Sequence, residues 1–362
     1  MVSNIMQHCF GKDHSGGPVN AFNRLIKYSK YKYSIIRQLH PAGGINIPLI
    51  ASFIKEIKLN NTKLVHIRGL GNEGFHAALA AKIAGVPNIL VSIHGTHRDL
   101  VYHNNSLKKW IMVNIFERLT LEFATDIVTV CEFAAKRDFL TPYNHKLRGY
   151  VPNGVLLPEL LNHSQKNFFR KEFDINDDLK IGICVSRISI EKGYLVLANA
   201  LGKIDTPNNK FLLLIVGGGD EQGEISHYFS DLKFIKVRFI GHVNNVNEYL
   251  SISDFFIFPS LHENLSNALL EAMSYQLPVI ATDVGGNTEV LLKGGGVLIK
   301  ANNSDELANK IIFFLHNNDA VNSMGRLARA NIEENYSLSS MVNSWENLYE
   351  SIFSMRNLKS EI

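Results

Sequence analysis

Short apolar, β-branched runs alternate with helix-length segments along nearly all of the 362-residue chain. This rhythm limits the fold more than any single residue does. Strands are predicted at 3–10 (SNIMQHCF), 33–39 (YSIIRQL), 63–69 (KLVHIRG), 88–95 (NILVSIHG) and 126–131 (DIVTVC). Helical stretches such as VNAFNRLIKYSK and FHAALAAKIAG lie between them, the second with Gly85 placed to end a helix before Pro87. At VPNGVLLPE (151–159) two prolines, a glycine and a following polar run break the rhythm. It restarts with KIGICVSRI, KFLLLIVGGG, FIKVRFIGHV, DFFIFPS, PVIATDV and GGVLIK as strands, then ends in helix from about Ser304. Such alternation argues for parallel sheets covered on both faces. The expected class is therefore α/β, with two tandem Rossmann-like, doubly wound domains facing a cleft. The domains are placed at 1–157 and 158–335. Residues 336–362 form a C-terminal helix whose return onto the first domain is left open.

Length and composition exclude several classes. A chain this long exceeds one ordinary core. No apolar run reaches the roughly 18 residues of a membrane-spanning helix, and the N-terminus lacks the basic and long apolar regions of a signal peptide. Cys9, Cys131 and Cys184 are far apart with no C-x-x-C pairing, which fits a reducing cytoplasm rather than a disulfide framework or zinc knuckle. Charge is uneven: residues 1–150 carry 19 Lys and Arg against 9 Asp and Glu, a net +10, and residues 151–362 carry 18 against 25, a net −7. A basic first half suits an anionic partner. Without a recognised binding motif, nucleic acid is not expected.

GLGNEG (69–74) matches G-x-G-x-x-G, but it follows the third predicted strand and has no acidic residue about 20 positions later. The glycines are better read as permitting a tight turn onto a closely packed helix. There is no P-loop, G-x-S-x-G elbow, H-E-x-x-H or D-x-D pair. A bound diphosphate would therefore be neutralised by cationic side chains and amides, with no metal site expected. In VSRISIEKG, Arg187 closes a strand and Lys192 begins a helix, a suitable clamp for phosphates. In SLHENLSNALLEAM (260–273), Glu263 precedes a helix expected to start near Leu265 or Ser266, and Glu271 lies within it, off the apolar stripe. A helical path throughout would separate the two by about 12 Å. That is comparable to the span from the hexose to the ribose of a sugar nucleotide. The helix start would offer free amides from Asn264, Leu265 and Ser266 to Asn267, suited to a phosphate. Gly285 and Gly286 would let a strand end approach a ligand closely, with Glu289 behind them.

Together these elements resemble the retaining glycosyltransferases of family 4, which have the GT-B fold. The likeness runs through R-x4-K-G (Arg187, Lys192, Gly193), E-x7-E (Glu263, Glu271), and E-A-M-x4-P-V-I with its trailing G-G-x-x-E, in family order. It implies that Arg187 and Lys192 bind the donor diphosphate, Glu263 meets the transferred sugar and Glu271 meets the ribose. HSGGPVNAF resembles the family's glycine loop near the donor phosphates (Gly16, Gly17). VSIHGTHRD resembles the strand end bearing its active-site histidine (His94), and VPNGV its interdomain segment. Three departures stand out: Gln276 where glycine is usual, Asn-Leu-Ser after Glu263 in place of Gly-Leu-Pro, and Cys131 at a position often held by serine.

The resemblance implies a retaining transferase moving a hexose or N-acetylhexosamine from a nucleotide-sugar, with UDP favoured, in bacterial O-antigen, capsule or exopolysaccharide assembly. No cofactor is expected, the nucleotide-sugar being a substrate. The acceptor would be a saccharide or a polyprenyl-diphosphate-linked acceptor on the basic first domain, and the second domain would hold the donor. RLIKYSKYKY and SLKKWIMVNIFERL suit peripheral contact with the inner face of an anionic plasma membrane. Two other readings are a non-catalytic sugar-nucleotide-binding partner of another transferase and a sugar-nucleotide epimerase.

Overall fold

The computed structural model describes residues 2–11, 17–99, 106–175 and 179–360. Packing divides the chain into unit 1, residues 1–154 with 338–362, and unit 2, residues 155–337.

Unit 1 holds a parallel sheet of β1 (Val2–Phe10), β2 (Lys32–Gln38), β3 (Leu64–Arg68), β4 (Asn88–Ile93), β5 (Asp126–Thr129) and β6 (Leu147–Tyr150), in the order β2-β1-β3-β4-β5-β6. Unit 2 holds a second parallel sheet of β7 (Lys180–Val185), β8 (Phe211–Val216), β9 (Lys236–Gly241), β10 (Phe255–Phe258), β11 (Val279–Thr282) and β12 (Gly296–Ile299), in the order β12-β11-β10-β7-β8-β9. The two-domain Rossmann-like architecture expected from the alternation is thus present. Each strand predicted from sequence forms, most of them shorter than predicted at the carboxyl end. β6 was not foreseen: LRGY is short, largely exposed, and carries Gly149 at a φ of 81°.

The apolar runs are continuous because both sheet faces are covered. In β8, Leu212, Leu214 and Val216 enter one core, whereas Phe211, Leu213 and Ile215 enter the other. Unit 1 repeats the pattern. Met6, Val65, Ile67, Val91 and Ile127 face one side. Ile5, Leu64, Leu90 and Val128 meet Met341, Val342, Trp345 and Tyr349 of the helix Leu338–Ser360 on the other. The last helix of the chain therefore covers much of one face of the first sheet, beside Leu25 of the helix Gly17–Tyr28. Its path back runs beside the outgoing one, where the Val155 amide donates to the Tyr336 carbonyl at 3.0 Å.

Strand order also sets where a ligand can bind. In unit 2 the chain leaves β7 for β8 and β9 on one side and later fills β10, β11 and β12 on the other. The crevice beyond the carboxyl ends of β7 and β10 is the topological switch point, the usual ligand site of such sheets. In unit 1 the corresponding switch lies between β1 and β3.

Candidate functional site

Two loops meet at the unit 2 switch point. The loop after β7 carries Arg187 and passes through a short 3₁₀ turn, Ile190–Lys192, before the helix Tyr194–Ile204. Lys192 thus closes that turn rather than opening the helix. The loop after β10 carries Glu263. The Leu261 amide donates to the Glu191 carbonyl at 2.8 Å, tying the loops together. Gly193 permits the approach: its φ is 75°, and a Cβ there would lie 2.0 Å from the Pro259 carbonyl oxygen. The result is a direct ion pair between residues 71 positions apart, Lys192 Nζ to Glu263 Oε1 at 2.5 Å. The Ser260 hydroxyl donates to the same carboxylate oxygen at 2.8 Å. Arg187 is far more open, its side chain 70% exposed, and it pairs with Glu191 at 3.2 Å. Its loop is nevertheless rigidly backed. A Cβ on Gly217 or Gly219 would strike the carbonyls of Ser186 and Ile188 at 1.9 and 2.1 Å.

The helix after Glu263 spans Asn267–Ser274, two residues later than the expected Leu265 and one later than Ser266. Ser266 is its N-cap and accepts from the Leu269 amide at 3.3 Å. Consequently Asn264, Leu265 and Ser266 are loop residues, and the first-turn amides belong to Asn267 and Ala268. The helical path assumed in the estimate of about 12 Å between Glu263 and Glu271 exists only from Asn267 onward. Glu271 sits half-buried on this helix.

Gly285 and Gly286 make their close approach to this loop itself. Cβ atoms there would lie 1.8 Å from the Glu263 carbonyl oxygen and 2.1 Å from that of Asn264. The Gly286 amide donates to the Asn264 carbonyl at 2.7 Å. The paired glycines thus clamp the backbone that presents Glu263, and Glu289 follows in the helix Gly286–Leu291.

Gln276 fills the left-handed position after the Asn267–Ser274 helix at a φ of 62°. The Gln276 and Leu277 amides donate to Met273 and Ala272 at 3.0 and 3.2 Å, the paired bonds of a Schellman turn that ordinarily takes glycine. Cys131 serves as an N-cap for Glu132–Ala135, its sulfur 3.4 Å from the Ala134 amide. That is a weaker version of what serine would do.

In unit 1, His94 follows directly on β4 and is half-buried. Burial, and then the Arg68 charge, hold its imidazole down at about 3, so the ring is neutral. Ser92 Oγ lies 3.3 Å from its Nε2. Sequence reading missed the anchoring of the loop beyond it. The fully buried Glu117 receives the His97 amide at 2.6 Å and pairs with Arg98 at 3.2 Å. Asp99 caps the Thr96 amide at 3.0 Å and pairs with Arg137 at 2.6 Å. The glycines of GLGNEG act in packing: a Cβ on Gly74 would meet the Gly69 carbonyl oxygen at 2.2 Å. Gly17 begins the helix Gly17–Tyr28; Gly16 lies outside the described residues.

A hollow at the opposite, amino-terminal end of the unit 2 sheet is charged, and its carboxylate is already paired. There Asp254 binds Lys166 at 2.9 Å, Arg170 at 2.7 Å and the Ile181 amide at 2.7 Å. Among the described residues no group of three or more His, Cys, Asp or Glu side chains is arranged to hold a metal ion.

Residues 165–331, most of unit 2 and all of the Arg187, Lys192, Glu263 and Glu271 region, match the family described as glycosyl transferases group 1. The match covers just under half of the chain; together with relatives that align along most of its length it supports a glycosyltransferase enzyme. The enzyme is 27% identical over 314 residues to N-acetyl-alpha-D-glucosaminyl L-malate synthase of Bacillus anthracis, covering 83% of this chain and 78% of that one. It is 26% identical over 316 residues to UDP-Gal:alpha-D-GlcNAc-diphosphoundecaprenol alpha-1,3-galactosyltransferase of Escherichia coli, with the same coverage of 83% and 78%. Among solved structures, a glycosyltransferase from Rickettsia africae superposes with a TM-score of 0.78 at 22% identity, over 97% of this chain and 99% of that one. The Anabaena HepE protein in complex with UDP-glucose gives a TM-score of 0.78 at 17% identity, over 96% and 99%. These structural likenesses establish the GT-B fold of the glycosyltransferase, in agreement with the family 4 resemblance. No helix among its described residues is long and apolar enough to cross a membrane.

Proposed function

We propose that this glycosyltransferase is a retaining, metal-independent enzyme. It transfers a hexose or N-acetylhexosamine from a UDP-sugar to a lipid-linked saccharide, in assembly of a bacterial surface polysaccharide. The observation that carries the reading is the Lys192–Glu263 pair held beyond β7 and β10 in unit 2. A cation there can take the leaving diphosphate, while the carboxylate beside it can accept hydrogen bonds from sugar hydroxyls. Arg187, exposed and weakly held, is free to swing onto the phosphates, and the first-turn amides of Asn267 and Ala268 add dipolar support. Charge developing on the diphosphate would be met by groups already in place, which is electrostatic catalysis. Glu271 is assigned to the ribose diol. His94, on unit 1, is assigned to the sugar by the family resemblance. In a front-face course the departing phosphate takes the acceptor proton, so no side-chain nucleophile is needed. The E. coli relative, named for a UDP-Gal donor and a diphosphoundecaprenol-linked acceptor, supports the choice of substrates. The net +10 of residues 1–150 supports an anionic acceptor or an anionic membrane face.

Thermal stability of the full chain with UDP, GDP, ADP, TDP and CMP tests the donor site. UDP alone should raise the transition, EDTA should leave the rise intact, and Glu271→Ala should abolish it. Absence of any nucleotide effect, or an effect indifferent to Glu271→Ala, would overturn the donor assignment.

A further inference from the structure

A chain of buried polar side chains crosses the face of the unit 1 sheet that the C-terminal helix covers. Gln7, His66 and Tyr349 are each fully buried, and Ser92 and Arg68 nearly so. Gln7 on β1 is in register with His66 on β3, and Arg68 with Ser92 on β4, so the sheet itself sets their spacing. Tyr349 comes from the helix Leu338–Ser360 and joins them from above.

The hydrogen positions follow from the donors available. Arg68 Nη1 lies 2.7 Å from Gln7 Oε1, and a guanidinium can only donate, so the carbonyl end of Gln7 faces it. Gln7 Nε2 therefore donates to the Tyr349 hydroxyl at 3.0 Å. Burial pushes the Tyr349 phenol far above its ordinary range, so it keeps its proton. That proton points to His66 Nδ1 at 2.8 Å. His66 is neutral, since burial and then the Arg68 charge hold it well below the usual histidine value, so its own proton sits on Nε2. Nε2 then donates to Ser92 Oγ at 2.9 Å. The serine hydrogen has two acceptors, His94 Nε2 at 3.3 Å and the Ile67 carbonyl at 3.4 Å, and the imidazole is the nearer.

We infer that Tyr349, acting through His66 and Ser92, is a positioning residue that fixes His94 as the tautomer with Nε2 accepting and the proton on Nδ1. The inference rests on His94 belonging to the active site, but only for its catalytic consequence. A neutral imidazole in one tautomer presents a hydrogen-bond donor at a defined edge, as recognition of a sugar hydroxyl requires, whereas a mixture of tautomers presents it only part of the time. The last helix of the chain would then be more than a cover for the first sheet: it supplies the residue that begins the relay.

The experiment is long-range proton–nitrogen NMR on the full chain labelled with ¹⁵N-histidine. Wild type should show His66 protonated on Nε2 and His94 on Nδ1. Tyr349→Phe should turn both into mixtures. Ser92→Ala should mix His94 alone, leaving His66 unchanged. Tyr33→Phe is the control, because its ring packs edge-on to Tyr349 at 6.3 Å without joining the chain, and it should move neither. With a UDP-sugar donor, Tyr349→Phe and Ser92→Ala should each lower kcat about tenfold and leave the donor KM unchanged. Wild-type His94 protonated on Nε2, or a His94 tautomer indifferent to both Tyr349→Phe and Ser92→Ala, would overturn the relay. Full transfer activity in His94→Asn would instead overturn the role given to His94, whatever the tautomers show.

Discussion

Replacing Lys192 by methionine removes the ammonium facing Glu263 while keeping most of the side-chain stem. The charged atoms are 2.5 Å apart and the side chains keep only 17% and 11% of their exposure, so water can replace neither partner fully. Glu263 would retain one donor, the Ser260 hydroxyl at 2.8 Å. Breaking a buried pair on one side costs about 3–5 kcal/mol, and losing an exposed pair costs about 0–1. A pair this covered should fall between them, at about 2–3 kcal/mol for Lys192→Met and slightly less for Glu263→Gln, which keeps its size and one carbonyl oxygen. The double variant strands no charge, so the cycle should return a coupling of about 1.5–2.5 kcal/mol. Both tryptophans, Trp110 and Trp345, lie in unit 1. Urea unfolding followed by far-UV circular dichroism would therefore report the loss in unit 2, while tryptophan fluorescence serves as the control. A coupling below about 0.5 kcal/mol would refute the reasoning and return Lys192 to the class of surface lysines.

Gln276→Gly should stabilise unit 2 by about 0.5–1 kcal/mol, because relief of the left-handed strain exceeds the entropy glycine adds to the unfolded chain. Circular dichroism melting would register it as an upward shift. Gly285→Ala places a methyl 1.8 Å from the Glu263 carbonyl oxygen and should abolish UDP binding in calorimetry; Gly202→Ala, open on the Tyr194–Ile204 helix, should stabilise by about 0.5–1 kcal/mol. Burial, only partly opposed by the Gln38 contact, lowers His8 from the usual 6.5 to about 4. The unfolded chain thus binds this proton first: the share of stability owed to a neutral His8 is complete above pH 6.5 and falls as pH drops toward 4, by about 3 kcal/mol at most, and His66 and His94 add losses of the same sign. Unfolding of unit 1 followed by tryptophan fluorescence across that range should show the slope, and His8→Gln should reduce it by about one proton, leaving the part owed to His66 and His94.

Much of this protein was readable along the chain. Where a strand is buried on both faces its residues must nearly all be apolar, so FLLLIV and NILVSI announce themselves without any contact being known. Spacing alone likewise set Arg187, Lys192 and Glu263 in the segments that follow strands and Glu271 in the helix beyond, because in such sheets ligands bind past the carboxyl ends of the strands. LRGY escaped notice because an exposed edge strand has no need of an apolar pattern. The start of the helix after Glu263 was misplaced because Leu265 continues the apolar stripe, whereas Ser266 caps the first turn and fixes the boundary.

Other features depend on residues distant in sequence, and only the tertiary structure decided them. Lys192 meets Glu263 because β7 and β10 are neighbours, an order that local pattern does not encode. The glycines at 285 and 286 looked suited to a ligand's approach, yet their missing side chains accommodate the backbone of Glu263 and Asn264. Gln7, His66, Ser92 and Tyr349 read singly as unremarkable polar residues. They become one hydrogen-bonded chain because parallel pairing puts the first three in adjacent rows and the final helix returns to cover them. Periodicity reports what a residue is buried against in general, water or apolar surface. Which particular donor meets which acceptor is settled only when strand order and the path of the last helix bring them within about 3 Å.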